Sequence, residues 1–266
     1  MTSENLKSGH PKIPTKPFNP IPIWLALTFT LLWLIVYDLD ISFETLAYGV
    51  DDMIEYFGRY RQPDFSNLPR FLHLMGVTLA TGLWGTIIAL LGAFLLAPFA
   101  ARNFSPGPLA YRVAREMLNF TRAMPDLLLA LIFVAALGLG PMPGALALGV
   151  HTTGFLGKFF AESLERVDVG VCEGVVATGA NFPQRVMYAG WPSILREAMG
   201  YALYILDRNV RMASVLGMVG AGGIGLALHD TLRLFDYSQS AALIIVILAT
   251  ILLIDYASAW LRKSLN

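Results

Sequence analysis

Four stretches of this sequence carry no charge: Ile21 to Tyr37, Leu74 to Ala101, Leu127 to Gly157 and Tyr237 to Ile254. A helix needs about 20 mostly apolar residues to cross roughly 30 Å of hydrocarbon, so each stretch is a candidate membrane span. The third is interrupted by Gly138-Leu139-Gly140-Pro141-Met142-Pro143-Gly144. Such a density of glycine and proline predicts a turn, which splits the stretch into a helical hairpin. Its first arm then starts near Leu118 and carries Arg122 and Asp126. A further span runs from about Ala198 to Leu216 with Asp207, Arg208 and Arg211 inside it. The pattern predicts an all-α integral membrane protein with six transmembrane helices.

Between the first two spans the pattern changes. Phe43, Leu46, Ala47, Val50, Ile54 and Phe57 recur at three- and four-residue spacing, with Asp51, Asp52 and Glu55 between them. This predicts an amphipathic helix, either lying at the membrane interface or packed as an ordinary outer helix. The basic, proline-rich start is followed by an apolar run, but Tyr37-Asp38-Leu39-Asp40 offers no small-residue cleavage site. The first apolar run therefore reads as a retained span.

Composition agrees. Of 266 residues, 56% are hydrophobic and 14% charged, and the mean hydropathy is +0.59. Soluble domains carry about a quarter charged residues, so this chain has too few to cover a soluble fold. The net charge is +0, which gives no electrostatic footprint for nucleic acid. With one cysteine, Cys172, and four scattered histidines, neither a disulfide nor a metal site is expected.

Charge placement sets the expected orientation. With the N-terminus inside and six alternating spans, eleven Lys and Arg fall on the inner side and four on the outer. The positive-inside rule then puts both termini in the cytoplasm. The expected organisation is a cytoplasmic tail (1–20), a first span (21–37), an outer acidic loop with the amphipathic helix (38–69), a core (70–262) and a short tail (263–266). A cytoplasmic loop within the core covers 162–196.

Gly220-Ala221-Gly222-Gly223-Ile224-Gly225 fits the G-x-G-x-x-G dinucleotide fingerprint. A βαβ unit and further parallel strands are required around that fingerprint, and an apolar span takes up much of the sequence that follows. The glycines are better read as close packing or a non-helical turn. No G-x-x-x-x-G-K-[ST] phosphate loop occurs, and neither H-E-x-x-H nor a spanning G-x-S-x-G supports an intramembrane enzyme. No repeat-related halves suggest an ion-driven secondary transporter.

The inner loop reads Glu173-Gly174-Val175, three residues, Gly179, nine residues, then Ala189-Gly190-Trp191-Pro192. It resembles the coupling loop of ABC importer permeases, Glu-Ala-Ala, three residues, Gly, nine residues, Ile-x-Leu-Pro. Glu173, Gly179 and Pro192 match; Gly174, Val175, Ala189 and Trp191 depart. Asn209-Val210-Arg211 followed by Ala213 through Gly225 is similar to the signature of phosphonate-type ABC permeases, as is Arg122-Ala123-Met124-Pro125-Asp126 with Ala130 to Val134. The resemblance covers roughly residues 70 to 262. It implies a type I importer fold, a multi-pass homodimer in the inner membrane and a periplasmic substrate-binding protein. It also implies two cytoplasmic ATPase subunits that bind ATP and Mg, with no cofactor in this chain. The cargo would be a phosphonate or a relative such as phosphite, with another small solute such as an amino acid as the alternative.

Physical reading supplies the candidate roles. Glu173, Gly179 and Pro192 are expected in ATPase coupling, in two short helices that turn near Gly179, with Glu173 near the start of the first. Arg122 and Asp126 are four apart and are expected to pair along one helix kinked at Pro125. Asp207 and Arg211 are also four apart, leaving net +1 on that span. Arg208 and Arg211 are therefore candidates for the pathway, with Gly220, Gly222, Gly223 and Gly225 as an anion nest or gate. Both arginines serving only as bundle ion pairs is the competing structural reading.

Overall fold

The computed structural model describes residues 19–39 and 43–265. Most of the basic tail (1–18), residues 40–42 of the acidic loop and Asn266 lie outside the described residues. Among the described residues the structure is helical throughout, without strands.

The chain divides after Gly58. The first unit holds α1 (Ile21–Asp38) and α2 (Phe43–Gly58). No residue of α1 is buried, and Trp24, Phe29 and Trp33 are all exposed along it. An apolar helix with every face exposed fits lipid as its solvent. On α2, Val50, Ile54 and Phe57 alternate with Asp51, Asp52 and Glu55 at helical spacing.

The second unit contains α3 (Leu68–Ala100), α4 (Pro108–Ala123), α5 (Asp126–Leu137), α6 (Pro141–Glu165), α7 (Val169–Ala177), α8 (Phe182–Arg185), α9 (Trp191–Leu216), α10 (Gly223–Arg233) and α11 (Tyr237–Leu265). Among the described residues three helices are long and apolar enough to cross a membrane: α1, α3 and Tyr237–Leu261 of α11. Two bent pairs raise this to five if each counts as one span: α4 with α5, bent by 87°, and Phe182–Ala221 with α10, bent by 58°. The 25-residue α6 is less apolar because it is interior, burying His151, Thr152, Thr153 and Ser163 among its neighbours.

The central packing is between α3 and α6, and small residues make it possible. A β-carbon on Gly85 would lie 2.7 Å from that of Leu148, and one on Gly149 would lie 2.5 Å from Ile88. Lipid tails are as apolar as leucine, so close backbone approach and dispersion must replace the hydrophobic effect between membrane helices. The same logic seats α4 on α6, where Gly154 faces the backbone of Leu118 and Arg122.

The expected continuous arm from Leu118 is not present. The helix ends at Ala123, Met124 is extended (φ −71°, ψ 123°), and α5 restarts at Asp126. Pro125 explains the break, since proline disfavours helical backbone in the residue before it. An aromatic knot secures the start of α9: Trp191 stacks on Phe94 at 4.4 Å and meets Phe160 edge-on at 5.5 Å.

Candidate functional site

Charge collects where α4, α5, α6 and α9 meet. Arg208 on α9 points at the break between α4 and α5. Its Nη2 lies 3.8 Å from Asp126 Oδ2 and donates to His151 Nε2 at 3.1 Å. The His151 Nδ1 lies 2.8 Å from the Met124 carbonyl. A carbonyl only accepts, so Nδ1 carries the proton and Nε2 offers its lone pair to Arg208. Phe155, one turn along α6, underlies the group: Arg208 sits 4.9 Å and Arg122 5.5 Å from its ring centroid. Guanidinium groups at these distances are held by the ring quadrupole.

The expected Arg122–Asp126 pair is therefore replaced by another arrangement. The turn of direction at Pro125 sends Asp126 to Arg208 and leaves Arg122 exposed on Phe155. At 1.5 Å per residue, Asp126, His151 and Arg208 lie roughly 12–17 Å from the helix ends near the Gly138–Gly140 turn, about half the hydrocarbon thickness. Charges at this depth are costly and mark pathways, cavities or partners.

Arg211 is differently placed. It pairs with Asp207 on its own helix and lies 3.6 Å from Asp255 on α11. With two carboxylates around it, Arg211 ties α9 to α11. Next to it, fully buried Asn209 donates to Thr86 at 3.0 Å and Thr152 at 3.4 Å, joining α9 to α3 and α6.

The glycine run forms a π-helical turn over Gly217–Ala221 and a kink into α10. Gly220, Gly222 and Gly223 have φ of +102°, +75° and +70°, a region that favours glycine. The loop is clamped from two sides. Gly140 N–H donates to the Gly220 carbonyl at 3.0 Å, and Ile224 N–H donates to Thr78 Oγ1 at 2.9 Å. Gly225 packs against α9, where a β-carbon would meet the Ser214 carbonyl oxygen at 1.9 Å. Buried Gly220, Gly223 and Gly225 thus serve close packing at the bend.

At the opposite end, α7 and α8 flank Gly179, whose φ of +83° makes the turn. Asp168 takes the cap of α7, accepting from Gly170 N–H at 2.7 Å. Glu173 consequently lies mid-helix rather than in the first turn. Asn181 and Gln184 form a reciprocal capping box on α8. A π-helical turn, Val186–Gly190, then leads into α9, with Pro192 in its first turn. Val169, Val176, Met187 and Tyr188 are exposed on these short helices. Gly174, Gly179, Gln184 and Tyr188 line a groove of about 380 Å³. Burial pushes the Cys172 thiol of α7 up from its ordinary range, against the lowering effect of Arg185.

Sequence reasoning missed His151, Phe155 and the Asp126–Arg208 pairing. The available signal was that His151 is the lone titratable residue between Leu127 and Gly157. Metal-ligand spacing was the wrong test for it, because its partners are a carbonyl and a guanidinium. Among the described residues no group of His, Cys, Asp and Glu could hold a metal ion.

Comparison with known proteins adds the family. The chain is 42% identical over 219 residues to the phosphite transport system permease protein PtxC of Stutzerimonas stutzeri, covering 82% of this chain and 80% of that one. It is 39% identical over 217 residues to the phosphate-import permease protein PhnE of Mycolicibacterium smegmatis, covering 82% of this chain and 41% of that protein. In fold it is similar to the MetNI methionine ABC transporter in an inward-facing form, with TM-score 0.57 at 20% identity over 74% of this chain and 94% of that one. An amino acid ABC transporter aligns with TM-score 0.59 at 14% identity over 76% and 98%. The architecture is that of type I ABC importer permeases. Residues 89–266 match the model of the binding-protein-dependent transport system inner membrane component, and the chain, a multi-pass membrane permease, belongs to that family.

Proposed function

We propose that this chain is the permease subunit of an ATP-driven importer for a phosphorus oxyanion such as phosphite or a phosphonate. The observation that carries the reading is a guanidinium, Arg208, held at mid-membrane depth by Asp126 and His151. A fixed cation at that depth suits an anionic cargo. The relatives' names, phosphite and phosphate transport permeases, supply the class of anion. Two copies of the chain would enclose the pathway, with both termini cytoplasmic and a substrate-binding protein docking outside.

Coupling falls to α7 and α8. Exposed Val169 and Val176 of α7, with Met187 and Tyr188 of the π-helical turn that follows α8, offer apolar surface to a separate ATPase that binds ATP and Mg. Glu173 and Gly179 lie on or beside this face, and Pro192 starts the helix that leads from it toward Arg208. The glycine bend at Gly220–Gly225 closes the far end of α9 and acts as its gate. Reconstitution of the permease with its ATPase and binding protein in liposomes tests the reading. ATP-dependent accumulation of phosphite or methylphosphonate is expected. Accumulation of an amino acid instead, with no phosphorus uptake, would overturn the cargo class.

A further inference from the structure

Two guanidinium groups share the Phe155 ring, and one of them, Arg208, is paired with the Asp126 carboxylate. We propose that Arg122 and Arg208 form a transient binding site in the permease itself for a tetrahedral phosphorus oxyanion, with His151 as the positioning residue of Arg208. This rests on the cargo reading above and deepens it.

The argument starts from unequal satisfaction. Arg208 uses Nη2 for His151 and Asp126, while its Nη1 is buried without a hydrogen-bond partner. A buried donor without an acceptor is costly, and an oxyanion oxygen is the acceptor that a guanidinium fork matches best. Arg122 is exposed and contacts Phe155, with no ion pair among the described residues. An arginine near mid-depth faces a cavity or a partner rather than hydrocarbon. Asp126 balances one of the two cations, so the cluster keeps one net positive charge. That charge attracts an anion without holding it tightly, and a pathway site must release its cargo.

His151 sets the geometry. Its Nδ1–H is committed to the Met124 carbonyl in the break between α4 and α5. The ring is thereby fixed, and its Nε2 lone pair holds Arg208 Nη2. With that nitrogen engaged, buried Nη1 is the donor left for cargo to satisfy. Arg211, with the two carboxylates of Asp207 and Asp255 around it, is outside this site.

The test uses the whole transporter in liposomes with phosphite as probe. Arg122→Gln is expected to assemble with the ATPase in wild-type yield and to lower the maximal uptake rate about tenfold or more, the loss of a charge-assisted hydrogen bond. The half-saturating concentration should stay fixed, since the outer binding protein captures the cargo. Arg122→Lys and Arg208→Lys should recover part of the rate, because they keep charge and lose the fork. His151→Gln, which keeps an acceptor, should transport faster than His151→Leu at equal assembly. Wild-type uptake by Arg122→Gln would overturn the site while leaving the cargo reading intact. Failure of both Arg122 variants to assemble would overturn it as well, making Arg122 structural. If the wild-type complex carries another solute and no phosphite, the cargo reading itself fails.

Discussion

Gly225→Ala measures how closely α10 approaches α9. The added β-carbon would sit 1.9 Å from the Ser214 carbonyl oxygen and 3.0 Å from the Gly217 α-carbon. Both are backbone atoms, so no flexible side-chain end can move aside. Overpacking costs about 1–3 kcal/mol, and a backbone neighbour places this substitution near 3 kcal/mol. Alanine regains about 1 kcal/mol of helix propensity over glycine, leaving a net loss of about 2 kcal/mol. For a chain of this size that lowers the melting temperature by roughly 4–8 °C. The control is Gly174→Ala on α7, where an added β-carbon meets nothing within 4 Å. It gains the propensity without the clash and should melt at or above the wild type. Tryptophan fluorescence during heating of the purified permease in detergent reads both. A Gly225→Ala protein that melts with Gly174→Ala, at or above wild type, would refute the close approach.

Further outcomes concern the α7–α8 end. Gly179 has open space around it and φ of +83°, so Gly179→Asn, which tolerates that backbone, should keep the ATPase bound. Gly179→Trp should lose ATPase co-purification or uncouple hydrolysis from uptake; unchanged uptake and recovery would remove the turn from coupling. Because burial raises the Cys172 thiol, less thiolate is present at any given pH. Its alkylation by iodoacetamide should be slow at pH 7 and reach half its limiting rate at a higher pH than a solvent-exposed cysteine does. A profile matching an exposed thiol would show that the thiol is not shielded against the bundle.

Much of this protein is written in its local pattern. Charge-free runs long enough for a bilayer mark α1, α3 and α11, because lipid admits only helices whose faces are apolar. Gly138 and Gly140 mark the turn before α6, which already starts at Pro141 and so takes in Pro143 and Gly144, and Gly179 marks the turn between α7 and α8, because backbone restrictions act over a few residues. The bend at Gly220 to Gly225 was legible for the same reason. The pairing of charges was not. Four-residue spacing predicted Arg122 with Asp126, and it gave Asp207 with Arg211 correctly. The difference lies in Pro125: it breaks the helix on which the first spacing rule depends, while α9 runs unbroken through the second. Once α4 and α5 diverge by 87°, Asp126 meets a residue 82 positions away and His151 enters the same cluster. Which small residues on α3 and α6 would interlock, and that Arg208 would keep an unpartnered donor, was likewise decided by the tertiary structure. Long-range contacts depend on how helices cross, and spacing along a single helix does not encode that.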